Sequence, residues 1–237
     1  MNVHREYIAW HSPSLGRTME LLVFGHGGEP VITFPTSCGK FFEWEDFGMI
    51  GTLQGKLADG RAQLFCLDSV DAESWYNRGV HPETRIARDD DYDRYLVHEV
   101  VPFVRSRNGR PITLAGASFG GYHVVDKGLR HPDVFKKILS LSGAYDMSWF
   151  LSGHRSLGTH LRQPLSYLPT LSDGWFIDRM REQDIRLGVG EWDFLLDQNW
   201  RLAHALSARG IGHTLDVWGG YDHDWPAWRG MVDKHVG

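Results

Sequence analysis

The chain has little cysteine, no long apolar run and no basic stretch, and each lack excludes something. Two cysteines, Cys38 and Cys66, cannot build a disulfide framework or a four-thiolate zinc site. No segment approaches the roughly eighteen consecutive apolar residues of a membrane span, so no membrane association is expected. Lys and Arg number 25 against 30 Asp and Glu, a formal net charge of −5 with His neutral, and the basic residues are scattered. Such a balance suits neither nucleic acid nor anionic lipid, and no nucleic-acid partner is expected. The opening MNVHREYIAWHS lacks the basic-then-apolar run of a signal peptide, so a cytoplasmic setting is expected. Nothing in the sequence speaks to oligomeric state.

Glycine and tryptophan are abundant, with 27 Gly and 10 Trp in 237 residues. The length fits one domain over residues 1–237. REYIAWHSPSLGRTMELLVFGHGGEPVITFPTS reads as three strands broken at Ser12–Gly16 and Gly25–Pro30, with connections short enough for antiparallel pairing. Strand-like and helix-like runs then alternate. AQLFCLDSV, PITLAGAS, FKKILSLSGAYD, DIRLGVGEWD and HTLDVWGG read as strands. DDYDRYLVHEVVPFVRSR, FGGYHVVDKGLRH, FLLDQNWRLAHALSARG and PAWRGMVDKHV read as helices, with Pro102 expected to kink or end the first. Asp89, Asp90, Asp91 and Asp93 read as acidic residues at a helix start. The order predicts an α/β fold: a mostly parallel central sheet with antiparallel N-terminal strands and helices on both faces. Residues from about 147 to 183 are rich in Gly, Ser, Pro and Trp. They read as an irregular insertion, too long for a plain connection and expected to form a cap or lid.

One constellation carries chemistry. Gly116-Ala117-Ser118-Phe119-Gly120 matches G-x-S-x-G, follows the apolar strand ITLA and opens a helix, as a nucleophile elbow requires. Residues two away from such a serine must be small, because strand and helix nearly touch. The helix N-terminus offers N–H groups to a developing anion. A serine hydroxyl needs a base, and the base an orienting acid. In chain order, Asp193 ends the strand IRLGVGEWD and His223 follows LDVWGG, both at strand C-termini. Glu191 and Asp197 are rivals for the acid, and a helix N-cap alone is the alternative role for Asp193. Asp222 and Asp224 flank His223, and Trp225-Pro226 stiffens its loop.

Acyl transfer also needs an oxyanion hole. The N–H of Phe119 is one expected donor. The loop VITFPTSCGKFF supplies the other, placed at Ser37 with Thr36 and Cys38 as alternatives. His26-Gly27-Gly28 imitates an oxyanion string but precedes the third strand, so it reads as a turn. Trp44, Trp75, Trp149, Phe150, Trp175, Trp192 and Trp225 fall in expected loops near strand C-termini. Trp44, Trp149 and Trp225 are taken as substrate-binding candidates, with ordinary packing as the alternative for each.

The stretches VITFPTSCGKFFEWEDFGMI, ESWYN, LAGASFGGYHVV, VGEWDFLLDQN and LDVWGGYDHDWPAW are spread over most of the chain. Through them it resembles the Putative esterase branch of the α/β-hydrolase superfamily. That branch holds esterase D (S-formylglutathione hydrolase), feruloyl and enterochelin esterases and mycolyltransferases. The resemblance implies the α/β-hydrolase fold, a Ser118–His223–Asp193 triad, and an oxyanion donor in the loop after Pro35. Together these readings predict a serine carboxylic-ester hydrolase working through an acyl-enzyme on a small-molecule ester or thioester, with no metal or organic cofactor required. Acyl transfer to an acceptor other than water, or a catalytically silent binding protein on the same fold, are the alternatives.

Overall fold

Strict alternation along the strands decides the architecture. In the computed structural model, which describes residues 3–237, eight strands form one sheet. They are β1 (Arg5–Ser12), β2 (Arg17–Phe24), β3 (Glu29–Phe34), β4 (Ala62–Leu67), β5 (Ile112–Ala117), β6 (Phe135–Leu141), β7 (Asp184–Gly190) and β8 (Thr214–Trp218). Their order is β1-β2-β4-β3-β5-β6-β7-β8. Successive side chains point to opposite faces. Leu21, Val23, Phe65, Leu67, Ile112, Leu114 and Ile138 therefore join one core. Their neighbours Leu22, Phe24, Leu64, Cys66, Ala115, Leu139 and Leu141 join the other. A sheet apolar on both faces must be covered on both. The first face receives the helices Pro82–Tyr95, Phe119–Arg130 and Leu196–Ala208. The second receives Trp225–His235 and three short helices between residues 43 and 58.

The antiparallel start is confined to β1–β2 and β2–β4. The third strand departs from the expected antiparallel triplet: β3 lies between β4 and β5, parallel to both. The turn at Gly25–Gly28 carries the chain past β4, and two of its glycines have positive φ. A Cβ on Gly28 would lie 2.0 Å from the Arg61 carbonyl carbon. The parallel return to β4 uses the short helices Glu43–Asp46, Met49–Thr52 and Gln54–Ala58, which the strand–helix reading passed over. Their signal was present, because Met49, Ile50, Leu53 and Leu57 keep helical spacing and are all buried.

Two further expectations change. The long helix begins at Pro82, where the His81 side chain accepts from the Glu83 N–H. It does not stop at Pro102. A π turn over Leu96–Val100 precedes Val101–Arg107, so the proline falls where the regular ladder is already interrupted. Asp89 is accordingly mid-helix and fully buried, not a solvated helix-start charge. The buried ammonium of Lys127 lies 2.7 Å from Asp89 and 2.9 Å from Asp126, joining the helices Pro82–Tyr95 and Phe119–Arg130. Burial works against the Lys127 charge, but Asp126 and Asp89 outweigh it and hold its pKa above the ordinary lysine value. The stretch after β6 is also more ordered than an irregular insertion. It holds the helices Ser148–Leu151, Leu157–Leu161, Pro164–Tyr167 and Gly174–Arg181, plus a 3₁₀ turn at Leu168–Thr170. Each is too short for periodicity to reveal, but two carry caps: a Ser156–Thr159 capping box and the Asp173 carboxylate.

The helix after β5 also approaches the end of β3 closely. A Cβ on Gly120 would lie 2.5 Å from the Pro35 carbonyl oxygen and 2.7 Å from that of Phe34, both rigid backbone. Gly120→Ala is therefore expected to cost about 1–3 kcal/mol or more by overpacking. Gly51→Ala, on an exposed helical position with nothing within 4 Å, should be neutral or stabilising by about 0.4–1 kcal/mol. Urea unfolding of the two variants checks the contrast; equal stabilities would contradict it.

Candidate active site

Ser118 sits at the end of β5 with φ 56° and ψ −119°, a conformation that non-glycine residues rarely adopt. The surroundings hold it there. Its N–H donates to the Leu141 carbonyl at 2.8 Å, and its own carbonyl accepts from Ala144 and Tyr122, each at 3.3 Å. Gly116 and Gly120 allow the turn, since a Cβ on Gly116 would come within 2.5 Å of the Gly120 carbonyl oxygen. The elbow read from the sequence is thus a consequence of backbone meeting backbone.

Three distant side chains meet at this rim. The His223 Nε2 is 3.0 Å from the Ser118 Oγ, and its Nδ1 is 3.0 Å from each oxygen of Asp193. Asp193 is only 4% exposed and takes a further hydrogen bond from the Leu195 N–H at 2.8 Å and one from the Ser142 hydroxyl. Burial pushes the Asp193 carboxyl up. The bonds from His223, Ser142 and the Leu195 amide outweigh that and hold it below the ordinary aspartate range. An ionised carboxylate is acceptor-only, so the imidazole proton belongs on Nδ1 and Nε2 faces the serine as an acceptor. Rivals for the acid are elsewhere: the Asp197 side chain is 82% exposed beside Arg201, and Glu191 accepts from the Gly220 N–H. The flanking acids are local. Asp222 accepts from the His223 N–H, and Asp224 caps the final helix by accepting from the Trp225 N–H. Among the described residues, no group of three or more His, Cys, Asp or Glu side chains could hold a metal ion.

The expected oxyanion donors sort themselves by what is already bonded. The Thr36 N–H donates to Glu43 at 2.6 Å, and the Cys38 N–H to Asp71 at 3.1 Å. Among the described residues, the N–H groups of Ser37 and Phe119 have no acceptor. The Ser37 Oγ accepts from the Tyr76 hydroxyl at 2.6 Å, and the Tyr76 ring meets Phe119 edge-on at 5.3 Å. Tyr76 therefore touches both candidate donor residues.

The aromatic candidates divide. Trp44 is 1% exposed and donates its Nε1–H to the Phe34 carbonyl, so it is a core residue and not part of a cleft wall. Trp225 stacks on Phe47 at 4.5 Å and meets Trp228, whose ring in turn stands perpendicular to His223 at 4.9 Å. Trp149 is 63% exposed, with the Arg78 guanidinium 3.3 Å over its ring, and it adjoins Phe150, which packs on Phe119. Sequence reasoning missed Phe194, which is 74% exposed with its ring 4.5 Å from that of His223. Its place one residue after Asp193 was the available signal. It also missed Ser142, whose hydroxyl accepts from the Trp228 Nε1 at 2.9 Å while bonding Asp193. No sequence pattern announced that bond.

A family model described as Putative esterase matches residues 43–236 of the chain. A search of curated proteins finds no match. Among solved structures, a ferulic acid esterase superposes with a TM-score of 0.77 at 16% identity, covering 100% of this chain and 97% of that one. An S-formylglutathione hydrolase from Agrobacterium tumefaciens gives 0.73 at 15% identity, covering 99% and 97%. FphF, a fluorophosphonate-binding serine hydrolase of Staphylococcus aureus, gives 0.68 at 17% identity, also covering 99% and 97%. At these identities the likeness establishes the α/β-hydrolase fold.

The depressed Asp193 carboxyl has a sign that can be checked. A folded-state pKa below the unfolded value contributes stability above about pH 4, and that contribution is lost as the pH falls through the folded value. The stability of the wild type relative to Asp193→Asn should therefore decline as the pH drops below about 4. Urea titrations across that range test it, and a constant difference would contradict it.

Proposed function

The chain belongs to the Putative esterase family, and from that premise we propose that it is a serine carboxylic-ester hydrolase acting through Ser118, His223 and Asp193. The observation that carries this reading is the unbroken hydrogen-bonded path from Asp193 through His223 to a strained, helix-capping Ser118. The His223 Nε2 takes the Ser118 proton as Oγ attacks the acyl carbon. The carbonyl oxygen becomes an oxyanion, accepting from the N–H groups of Phe119 and Ser37. Asp193 holds the imidazole tautomer and stabilises its charged form. As the tetrahedral intermediate collapses, the bond to the leaving group breaks. The alcohol or thiol departs with the proton from His223, and an acyl-Ser118 ester remains. Water then adds to that ester with the same base and the same oxyanion site, releasing the acid.

The substrate is a small-molecule ester or thioester. In this reading the apolar walls of the approach are Phe194, whose ring is 4.5 Å from that of His223, with Trp225 and Trp149 further out. The helical stretch from Ser148 to Arg181, which rests on Phe119 through Phe150, is the cap in this proposal. The ferulic acid esterase and the S-formylglutathione hydrolase support both an oxygen-ester and a thioester test.

Hydrolysis of p-nitrophenyl esters of graded chain length tests the proposal. Ser118→Ala should lose roughly 10⁴-fold or more of kcat. Intact mass spectrometry of the wild type during turnover should show one added acyl group, absent from Ser118→Ala. Undiminished turnover in that variant would overturn the assignment.

A further inference from the structure

Two carboxylates outside the triad grip the loop that follows β3, one on each side of Ser37. Glu43 accepts from the Thr36 N–H through Oε2 at 2.6 Å and from the Thr36 hydroxyl through Oε1 at 2.8 Å. Asp71, fully buried, accepts from the Cys38 N–H through Oδ2 at 3.1 Å and faces the His123 Nε2 through Oδ1 at 2.8 Å. An ionised carboxylate only accepts, so the His123 Nε2–H donates. All four oxygens are used, and hydrogen bonds to ionised acceptors are the stronger kind.

The surroundings are shaped for this grip. Gly39 leaves room for Glu43 beneath the loop, since a Cβ there would lie 2.5 Å from Glu43 Oε1. Cys38 has φ 56°, a left-handed conformation that costs energy in a cysteine and needs an external hold. Asp71 supplies that hold through the Cys38 amide. His123 lies on the helix Phe119–Arg130, whose first residue is Phe119. Asp71 therefore ties the Ser37 loop to the helix that carries the other candidate donor.

We infer that Asp71 and Glu43 are positioning residues that fix the Ser37 N–H as the second oxyanion donor by occupying the amides on either side of it. The inference rests on the hydrolytic reading above. Neither carboxylate touches the substrate. Their work is to stop the loop from turning Thr36 or Cys38 toward the anion, and to hold Ser37 in register with Phe119 before a tetrahedral intermediate forms. Oxyanion donors act by being oriented in advance, so a loosened loop lowers the rate of the chemical step more than it weakens ground-state binding.

The test uses the full chain with Asp71→Asn, Glu43→Gln and Ser118→Ala. Each amide keeps the shape of its carboxylate but carries no charge, so the bond from the Thr36 or Cys38 N–H loses its charge assistance, and the second partner must turn from donor to acceptor to be kept. Each of the first two variants should lower kcat on p-nitrophenyl acetate by roughly 10–100-fold, below the loss expected for deleting a donor outright, with KM within about twofold. Affinity for a trifluoromethyl ketone, which forms a tetrahedral adduct on serine, should fall by the same factor. Thermal melts report whether the fold survives. If Asp71→Asn does not fold, Glu43→Gln decides alone. Unchanged kcat in the folded variants, or a loss of kcat that only tracks a loss of folded protein, overturns the inference. A Ser118→Ala variant that still turns over overturns the hydrolytic reading along with it. An inactive Ser118→Ala beside full-rate Asp71→Asn and Glu43→Gln overturns the clamp alone.

Discussion

The close approach of backbone to backbone around Ser118 constrains everything else in the molecule. Gly116 faces the Gly120 carbonyl, and Gly120 faces the carbonyls of Phe34 and Pro35, at separations that no Cβ tolerates. β5, the helix after it and the end of β3 therefore meet at one point. Because β3 lies directly beside β5, the loop leaving β3 begins next to the elbow. This is the physical use of the crossed strand order: an antiparallel β2–β3 hairpin would not have delivered residues 36–38 there. Three of the four non-glycine residues with positive φ among those described, Cys38, Ser118 and Ser142, lie around the proposed site. Strain of this kind persists only where the surroundings over-determine it, and each of the three has a backbone N–H bonded to a fixed acceptor.

Electrostatics follows the same pattern of surplus hydrogen bonds around few charges. Asp193 is buried, which alone would favour its neutral form, but three donors reverse the balance. One of the three, the Ser142 hydroxyl, is itself oriented by Trp228, whose ring stands against His223. A single tryptophan on the last helix thus touches both the partner of Asp193 and the ring of His223. Asp71 is treated similarly, with His123 on one oxygen and the Cys38 amide on the other. Both are held by groups that can only donate to them, so their orientation does not depend on solvent.

What could be read from the sequence was what local chemistry announces. The strand–Gly-x-Ser-x-Gly–helix order announces the elbow, because only small residues fit two positions from Ser118. Asp193 and His223 were legible because each lies in the loop just after a strand, β7 or β8, and parallel strands bring their C-terminal ends to one rim. The crossing of β3 was not legible, since a short Gly-rich connection permits either pairing and the decision lies in the β4 contacts. The helices of residues 148–181 were hidden by their brevity. Pro102 does not end the helix because a π turn before it already interrupts the regular ladder, a tertiary compromise without a sequence mark. Trp44 misled for another reason. A tryptophan beside a predicted loop can face either way, and its indole N–H found the Phe34 carbonyl inside the core. Phe194, Ser142, Asp71 and Glu43 are ordinary residues in sequence and acquire roles only through partners 29 or more positions away or through a loop conformation.

The two halves of the proposed site are therefore built on different footings. Asp193 and His223, the proposed acid and base, come from the far edge of the sheet, beyond β6, where β7 and β8 pair in parallel and their loops exchange hydrogen bonds such as Trp192 N–H to the Tyr221 carbonyl. The oxyanion loop comes from the opposite side of β5 and shares no strand with them. The helix Phe119–Arg130 reaches both, with Ser118 at its head facing His223 and His123 further along facing Asp71. That helix is in turn anchored from behind by the buried Lys127 between Asp89 and Asp126. A buried cation between carboxylates adds little net stability, but removing either partner strands a charge, so the pairing fixes the helix in one position. In the proposed mechanism a rigid helix would let a donor set on one side and a base on the other address the same carbonyl, since any tilt of its axis would move Ser118 toward one partner and away from the other.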